Sequence, residues 1–326
     1  MSICFCGTTA ERILDLIALK RLSSYGRAGH EAFDGCSSGR KELREALRIL
    51  PELGKPIHLL VPRSSLRVRT DEARPHVWRG PVPYGSLLYL APGILTASPE
   101  FNALLEMRGA SLVERTLTLM RYCGIFAIDE SSEDGFVKRP QLATVERLRS
   151  LALQEQRQFS SRNLLEASEL AIERARSPFE ARLALVLTIP SEMGGFGIPR
   201  PELNKPIDIG DEGFAILGRR SVEGDLVWLG KRVVVEANGR LRHEGRFGDD
   251  LTRASALEAN GFSVRFVTAQ QLRSPRQMSI LAGWLMERLG IKTSMPDQDK
   301  LRELLNEIMS FKFCNTSHSS LGAINF

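Results

Sequence analysis

The chain has 326 residues, of which 43% are hydrophobic and 25% charged, a composition typical of a globular protein with room for two domains. Lysine and arginine outnumber the acids by 44 to 39, so the formal charge of +5 permits a polyanionic partner without requiring one. The five cysteines show no paired spacing, which indicates neither a disulfide framework nor a zinc site and favours a cytoplasmic protein. No signal peptide and no apolar run of ~18 residues are found, so no membrane partner is expected.

The first part of the chain predicts a mixed α/β unit. Amphipathic helices are expected at 9–22 and 39–50, within a stretch that is otherwise irregular. Short β-like runs punctuated by proline and glycine follow at 57–61, 66–69, 76–78, 86–90 and 94–96. Ser98 is then predicted to cap a helix that begins at Pro99, and a further helical stretch covers 106–122.

A long, charge-rich helical region at 140–176, broken near Ser160, predicts the division between two units. We place an N-terminal α/β domain at 1–150, a C-terminal domain at 151–290, and a terminal helix with its tail at 291–326. In the C-terminal domain the order helix, strands, helix, strand, helix predicts a mixed sheet flanked by helices, so the whole chain belongs to the α/β class.

The C-terminal domain opens with a helix start at Ser177. A serine followed three residues later by Glu180 is a capping box, and Pro178 suits the first helical position. The helix is expected to reach about Val186. The later predicted elements are β runs at 225–229 and 232–236, a helix at 247–260 ended by Gly261, a strand at 262–267, and helices at 275–289 and 297–311.

The centre of this domain is a predicted β-hairpin on Gly230-Lys231, a two-residue loop with glycine first. Counting outward from this turn places Asp225 opposite Glu236, and carboxylates about 5 Å apart repel each other. A divalent cation between them would offset the repulsion, and Asn238 lies on the same face as Glu236 and can offer a carbonyl oxygen. A solvated hairpin edge with unrelated acids is the alternative.

The residues from the hairpin onwards form an ordered series. It runs through Glu236-Ala237-Asn238-Gly239, His243, Asp250, Arg253 and Arg265-Phe266-Val267-Thr268. Over about 177–272 the chain resembles the restriction-endonuclease-like superfamily, the PD-(D/E)xK nucleases, and especially the small bacterial branch related to very-short-patch repair endonucleases. The pattern of that branch is a helix glutamate, a strand aspartate, Glu-x-Asp-Gly with a following histidine, and Asp-x-x-Arg before a strand.

The resemblance implies a catalytic site. Asp225 and Glu236 would bind Mg²⁺ or Mn²⁺, and Glu180 would be the helix acid that approaches them. His243 corresponds to the histidine near the scissile phosphate. Asn238 occupies a position where lysine, aspartate or glutamine is usual, which leaves weak, altered or absent cleavage open.

Arginines around the proposed site would contact phosphates. We assign this role to Arg240, Arg242 and Arg253, the last of which corresponds to the arginine of the Asp-x-x-Arg pair. Three alternatives stay open: Glu180 as a helix cap alone, Asp250 with Arg253 as a surface ion pair, and His243 as an ordinary surface histidine.

The N-terminal unit carries a second resemblance, on His58-Leu59-Leu60-Val61-Pro62, His76-Val77-Trp78 and Ser98-Pro99-Glu100. These residues resemble regions of bacterial proteins in which the nuclease-like domain is joined to a domain related to antitoxins of abortive-infection systems. Such a unit would position DNA or a partner, or act as a packing scaffold.

The resemblance therefore implies a metal-dependent endonuclease, or a nuclease-like protein, that hydrolyses DNA phosphodiester bonds. One alternative is a catalytically inactive DNA-binding or antitoxin-like regulator that retains the nuclease fold. Another is a structural or interaction protein of a defence or mobile-element locus. A homodimer is open as well, because enzymes that cut both strands are commonly dimeric.

Overall fold

The computed structural model describes residues 2–51, 53–68, 70–155, 159–238 and 244–313, without the side chains of 159, 244–247 and 249–250. The protein has an α/β fold with mixed sheets, as predicted. The chain forms two compact units, and the main change between them falls after Glu169, compared with the expected boundary at 150. Within the described ranges, no helix is both long and apolar enough to cross a membrane.

The first unit contains a six-stranded sheet with the order β2-β5-β6-β1-β3-β4. Its strands are β1 (Ile3–Phe5), β2 (Arg27–Ala28), β3 (Ile57–Val61), β4 (Ala73–Val77), β5 (Leu87–Ala91) and β6 (Ile94–Ala97). β1 runs parallel to β6 and antiparallel to β3, while β3 and β4 are parallel. The sequence did not predict β1 or β2, and the predicted strand at 66–69 is wrong because a 3₁₀ turn covers Ser64–Leu66.

Helices pack around this sheet. The helices of the first unit are α1 (Gly7–Ala18), α2 (His30–Asp34), α3 (Arg40–Ile49), α4 (Pro99–Glu106), α5 (Leu112–Tyr122), α6 (Val145–Gln154) and α7 (Phe159–Ser168), of which α1 and α3 contact the sheet while α5, α6 and α7 contact α4. A small separate sheet pairs β7 (Phe126–Ile128) with β8 (Phe136–Lys138). Ile13 of α1 and Leu43 of α3 are buried against the sheet. The predicted cap is confirmed, since the Ser98 hydroxyl accepts a hydrogen bond from the amide of Phe101 at 3.3 Å.

A buried ion network holds the helical part of the first unit together. The guanidinium of Arg121 on α5 pairs with Glu11 and Asp15 of α1, and its Nη2 lies 3.0 Å from Asp15 Oδ2. Arg139 Nε donates to the other Asp15 oxygen at 2.7 Å. Burial raises the pKa of Glu106 well above its usual range, and the negative charge of Glu11 adds to this shift. The protein interior tolerates these charges because most of them form ion pairs with residues that are distant in the chain.

The second unit contains a four-stranded sheet. Its strands are β9 (Glu202–Asp208), β10 (Ser221–Trp228), β11 (Val233–Asn238) and β12 (Ser263–Thr268), in the order β12-β11-β10-β9. β11 and β12 are parallel and the other neighbours antiparallel. The sequence did not predict β9, whose residues include lysine and proline between two hydrophobic positions.

Helices cover both faces of this sheet, as the sequence predicted. They are α8 (Pro178–Thr188), α9 (Gly210–Leu217), α10 (Glu244–Ala259), α11 (Ala269–Leu272), α12 (Pro275–Leu289) and α13 (Gln298–Ser310). Val234 of β11 packs with Leu257 of α10 in one buried cluster. Val235, on the opposite face of β11, is equally buried, and α8 and α12 contact this strand. Gly261 ends the α10 segment at a φ of +74°, the predicted left-handed position.

The ion network of the first unit predicts a large loss of stability for Arg121→Met. Removing the guanidinium leaves the buried Glu11 without its ion-pair partner and Asp15 with Arg139 alone, so the free energy of unfolding should fall by about 3–5 kcal/mol. The control is Arg149→Met, which removes an exposed pair with Glu169 and should cost under about 1 kcal/mol. Urea unfolding at pH 7 measures both, and equal losses would contradict the assigned role of Arg121.

Candidate functional site

The hairpin that carries the two acids has the predicted register and a different turn. Leu226 pairs with Val235, the offset counted from the sequence. The loop consists of the four residues 229–232, so the prediction of a two-residue turn on Gly230-Lys231 is wrong. Arg232 takes the left-handed conformation, at a φ of 52°. The offset is unchanged because the longer loop takes one residue from each strand.

Asp225 and Glu236 come next in this register, and the strands separate where they lie. The backbone ladder of β10 and β11 reaches only Leu226, and the amide of Ala237 donates to Asp225 Oδ2 at 2.8 Å instead. Glu236 is almost fully buried, whereas Asp225 is half-buried. The Asp225 side chain thus takes the place of a backbone carbonyl as the acceptor for the Ala237 amide. It lies at the edge of the gap between β10 and β11, which we call the split.

Arg253 of α10 occupies this split. Its Nη2 lies 3.1 and 3.3 Å from the two carboxylate oxygens of Glu236 and donates to the carbonyl oxygen of Glu223 at 2.6 Å. The repulsion between the two acids is therefore offset by a guanidinium and an amide, in the place where the sequence suggested a metal. The side chain of Asp250 lies outside the described residues, so the proposed surface pair with Arg253 is not seen.

Glu180 caps α8 and also belongs to the site. The Ser177 hydroxyl accepts from the amide of Glu180 at 3.1 Å, as predicted, and donates to Glu180 Oε1 at 2.9 Å. The carboxylate reaches back to the amide of Arg176 at 2.8 Å, one residue before the position that a standard capping box uses. Burial and the negative charge of Asp225 raise the pKa of Glu180 to about 7. The same carboxyl group of Glu180 therefore caps α8 and belongs to the site.

The sequence analysis missed Asn204, which supports Glu180 from the neighbouring strand β9. Asn204 is fully buried, and its Nδ2 donates to Glu180 Oε2 at 2.5 Å and to the carbonyl oxygen of Arg174 at 2.9 Å. Its φ is 51°, a left-handed value that asparagine tolerates better than most residues. An asparagine between Pro201 and Pro206 was the available signal, because all three residues disfavour a regular strand.

The other predicted site residues divide into two groups. Asn238 ends β11 opposite Thr268 and lies on the same face as Glu236, as predicted. The remaining residues, Arg240, Arg242 and His243, lie outside the described residues.

Oxygen donors of the kind that Mg²⁺ prefers are present at the split. They are the carboxylates of Asp225 and Glu236 and the side-chain amide of Asn238. No group of three or more histidine, cysteine or acidic side chains in the described ranges stands close enough to hold a metal ion. A metal at this position would share Glu236 with Arg253, so the donor chemistry fits a divalent cation that competes with a guanidinium.

The raised pKa of Glu180 predicts a pH-dependent stability. The folded protein keeps a proton that the unfolded chain, with a carboxyl pKa near 4.5, has released. The stabilisation is therefore full below pH 4.5 and is lost as the pH rises towards 7, by up to about 3 kcal/mol. Urea unfolding in EDTA should show this slope in the wild type and lose it in Glu180→Gln. The exposed control Glu192→Gln should keep it, and a slope that persists in Glu180→Gln would contradict the assignment.

The hydrogen bonds of Asn204 predict how three substitutions change the free energy of unfolding. Asn204→Ala loses two buried hydrogen bonds and strains a left-handed position, so unfolding should become easier by about 2–4 kcal/mol. Asn204→Gly isolates the loss of the bonds because glycine accepts this φ. Asn204→Asp keeps the shape but places a second carboxyl beside Glu180, so its loss should grow with pH. An Asn204→Asp variant as stable as the wild type at pH 8 would rule out the contact.

The site thus combines three carboxyl groups, one guanidinium and a buried amide at a split between strands. Such a group of residues can bind a cation or a phosphate and can exchange a proton near neutral pH. The chain matches no model of a protein family, no curated protein and no solved structure. The interpretation of the site therefore depends on its own residues and their geometry.

Proposed function

We propose that this protein is a cytoplasmic, metal-dependent endonuclease of the restriction-endonuclease-like kind, which hydrolyses DNA phosphodiester bonds. The observation that carries the proposal is the meeting of Asp225 and the buried Glu236 at the split between β10 and β11. A protein interior tolerates such a pair only with compensation, and a site that must bind a cation gives a reason to keep both acids. Glu180, with its pKa raised to about 7, lies within electrostatic reach of Asp225.

The order of the elements supports the same proposal. Glu180 lies on a helix, Asp225 and Glu236 on successive antiparallel strands, and Arg253 on the helix that precedes the parallel strand β12. Each residue therefore stands on the type of element that the resemblance implies for it. The whole series folds as one layer of sheet between helices, which suits a site built on rigid elements.

The residues of the site divide the chemistry among them. Phosphodiester hydrolysis needs charge neutralisation and an activated water, which Mg²⁺ supplies when bound by Asp225 and Glu236. Arg253 donates to a phosphate oxygen, and Glu180 accepts or returns a proton near neutral pH. Asn204 holds the carboxyl of Glu180 in place, and Asn238 offers an uncharged oxygen where a charged residue would act more strongly.

One observation favours a second candidate, a DNA-binding or antitoxin-like regulator without turnover. The ion pair between Arg253 and Glu236 already offsets the buried charge of Glu236, so this charge does not require a metal. Asn238 is also a weaker group than the lysine or acid of related sites. In this case Arg253, together with Arg240 and Arg242, would serve DNA binding alone.

Metal binding and nicking of supercoiled plasmid DNA, measured on the same preparations, test the proposal. Glu236→Gln and Asp225→Asn should each weaken Mn²⁺ binding in calorimetry by at least about tenfold and abolish nicking, because each removes an anionic oxygen donor. The control is Glu202→Gln, an exposed acid of the same sheet, which should leave both quantities within about twofold.

The outcomes separate the two candidates. Metal binding without nicking of any DNA by the wild type would favour the regulator, and no metal binding at millimolar concentration would reject the nuclease. Arg253→Gln gives a further distinction. In a nuclease it should tighten Mn²⁺ binding, because Glu236 loses its competing cation, and at the same time reduce nicking.

A further inference from the structure

Two arginines follow the ends of neighbouring parallel strands in the first unit. β3 and β4 pair with a constant offset, in which Val61 lies opposite Val77, and the amide of Trp78 continues the ladder by donating to Val61 O at 2.9 Å. Arg63 and Arg79 each follow this last pair by two residues. Both arginines line one pocket of about 420 Å³.

This pocket has an excess of positive charge. Like charges that line one pocket repel each other. In the described part of the chain, neither Arg63 nor Arg79 forms an ion pair with a carboxylate, and both are exposed. The acid in the pocket is Asp34, whose Oδ1 lies 3.5 Å from His30 Nε2. Two arginines therefore line the pocket together with one acid, whose carboxylate a histidine already contacts.

The walls of the pocket are held in place by packing and hydrogen bonds. Trp78 is 2% exposed, its indole N–H donates to Pro81 O at 3.3 Å, and its ring meets Phe101 edge-on. His30 Nδ1 accepts from the amide of Val82 at 3.4 Å, which leaves the proton on Nε2. The wall beneath the two arginines is thus preorganised, and binding an anion there requires little rearrangement.

An exposed aromatic ring stands beside the pocket. Tyr84 is 96% exposed, and its ring lies 3.7 Å from the position that a side chain on Gly29 would occupy. Gly29 directly precedes His30, which lines the pocket. A tyrosine so fully exposed offers both faces of its ring, and aromatic rings are the groups on which nucleic-acid bases stack.

We propose that this pocket binds a phosphate group of a nucleotide or of a nucleic-acid strand, with an attached base stacked on Tyr84. Arg63 and Arg79 donate to the phosphate oxygens, since paired guanidinium groups match the geometry of this anion. The phosphate removes the repulsion between the two arginines. The site lies in the first unit and does not depend on the nuclease proposal for the second.

The test uses the full chain in EDTA with four probes: inorganic phosphate, adenosine monophosphate, and single-stranded and duplex DNA of equal length. Arg63→Gln/Arg79→Gln should weaken binding of the phosphate-bearing probes by at least about tenfold. The matched control is Arg40→Gln/Arg44→Gln on α3, which removes the same charge from exposed positions outside the pocket and should act within about twofold. The single variant Arg79→Gln serves if the double variant does not fold.

The probes identify the source of the phosphate. Tyr84→Ala should weaken the nucleotide or the strand and leave inorganic phosphate unchanged. Tighter binding of a strand than of adenosine monophosphate would assign the site to nucleic acid, and the reverse would assign it to a free nucleotide. Equal losses of probe affinity in the two arginine double variants, or no binding of any probe by the wild type, would overturn the proposal. Metal binding and nicking by Glu236→Gln are separate readouts on the second unit.

Discussion

The arrangement of the C-terminal unit depends on the groups that offset the repulsion between Asp225 and Glu236, two acids on adjacent strands. Arg253 lies in the split between β10 and β11 and bonds both strands, through the carboxylate of Glu236 and the carbonyl oxygen of Glu223. The amide of Ala237 satisfies Asp225 in the same way. The split is therefore hydrogen-bonded like the rest of the sheet, while its side chains remain suited to a cation or a phosphate. A stabilising contact and a candidate ligand contact are made by the same guanidinium.

In the described part of the chain, burial distinguishes charged side chains that stabilise the fold from charged side chains that can bind a ligand. Arg121 is buried and pairs with two acids, which suits it to holding helices together and keeps its guanidinium away from a ligand in solvent. Arg63 and Arg79 are exposed and without a carboxylate partner in the described ranges, so they can receive an anion. Glu180 lies between these cases. Its carboxyl is buried and hydrogen-bonded by Asn204, and its pKa is raised to about 7, so it is a buried acid that can exchange a proton near neutral pH.

Much of the C-terminal unit could be predicted because its signals are local. Ser177 and Glu180 are three residues apart, and Gly261 ends its helix through its own backbone freedom. The predicted helix at 275–289 has the observed bounds. The offset that relates Asp225 to Glu236 was correct although the turn was wrong, because the observed four-residue loop has the same centre as the predicted two-residue loop. The contacts of Asn204 and Arg253 could not be predicted in this way.

The sequence by itself determined the α/β class, the caps, and the offset that brings Asp225 and Glu236 to the same level of adjacent strands. Each of these depends on residues within about a dozen positions of one another. The tertiary structure decided the rest: the membership of β1 and β9 in their sheets, the split at Asp225, and the insertion of Arg253. These features depend on partners far apart in the chain, and the energy that selects them comes from burial and charge pairing. A local sequence pattern does not report these long-range contacts, so only the folded structure shows which carboxylate pairs with which guanidinium.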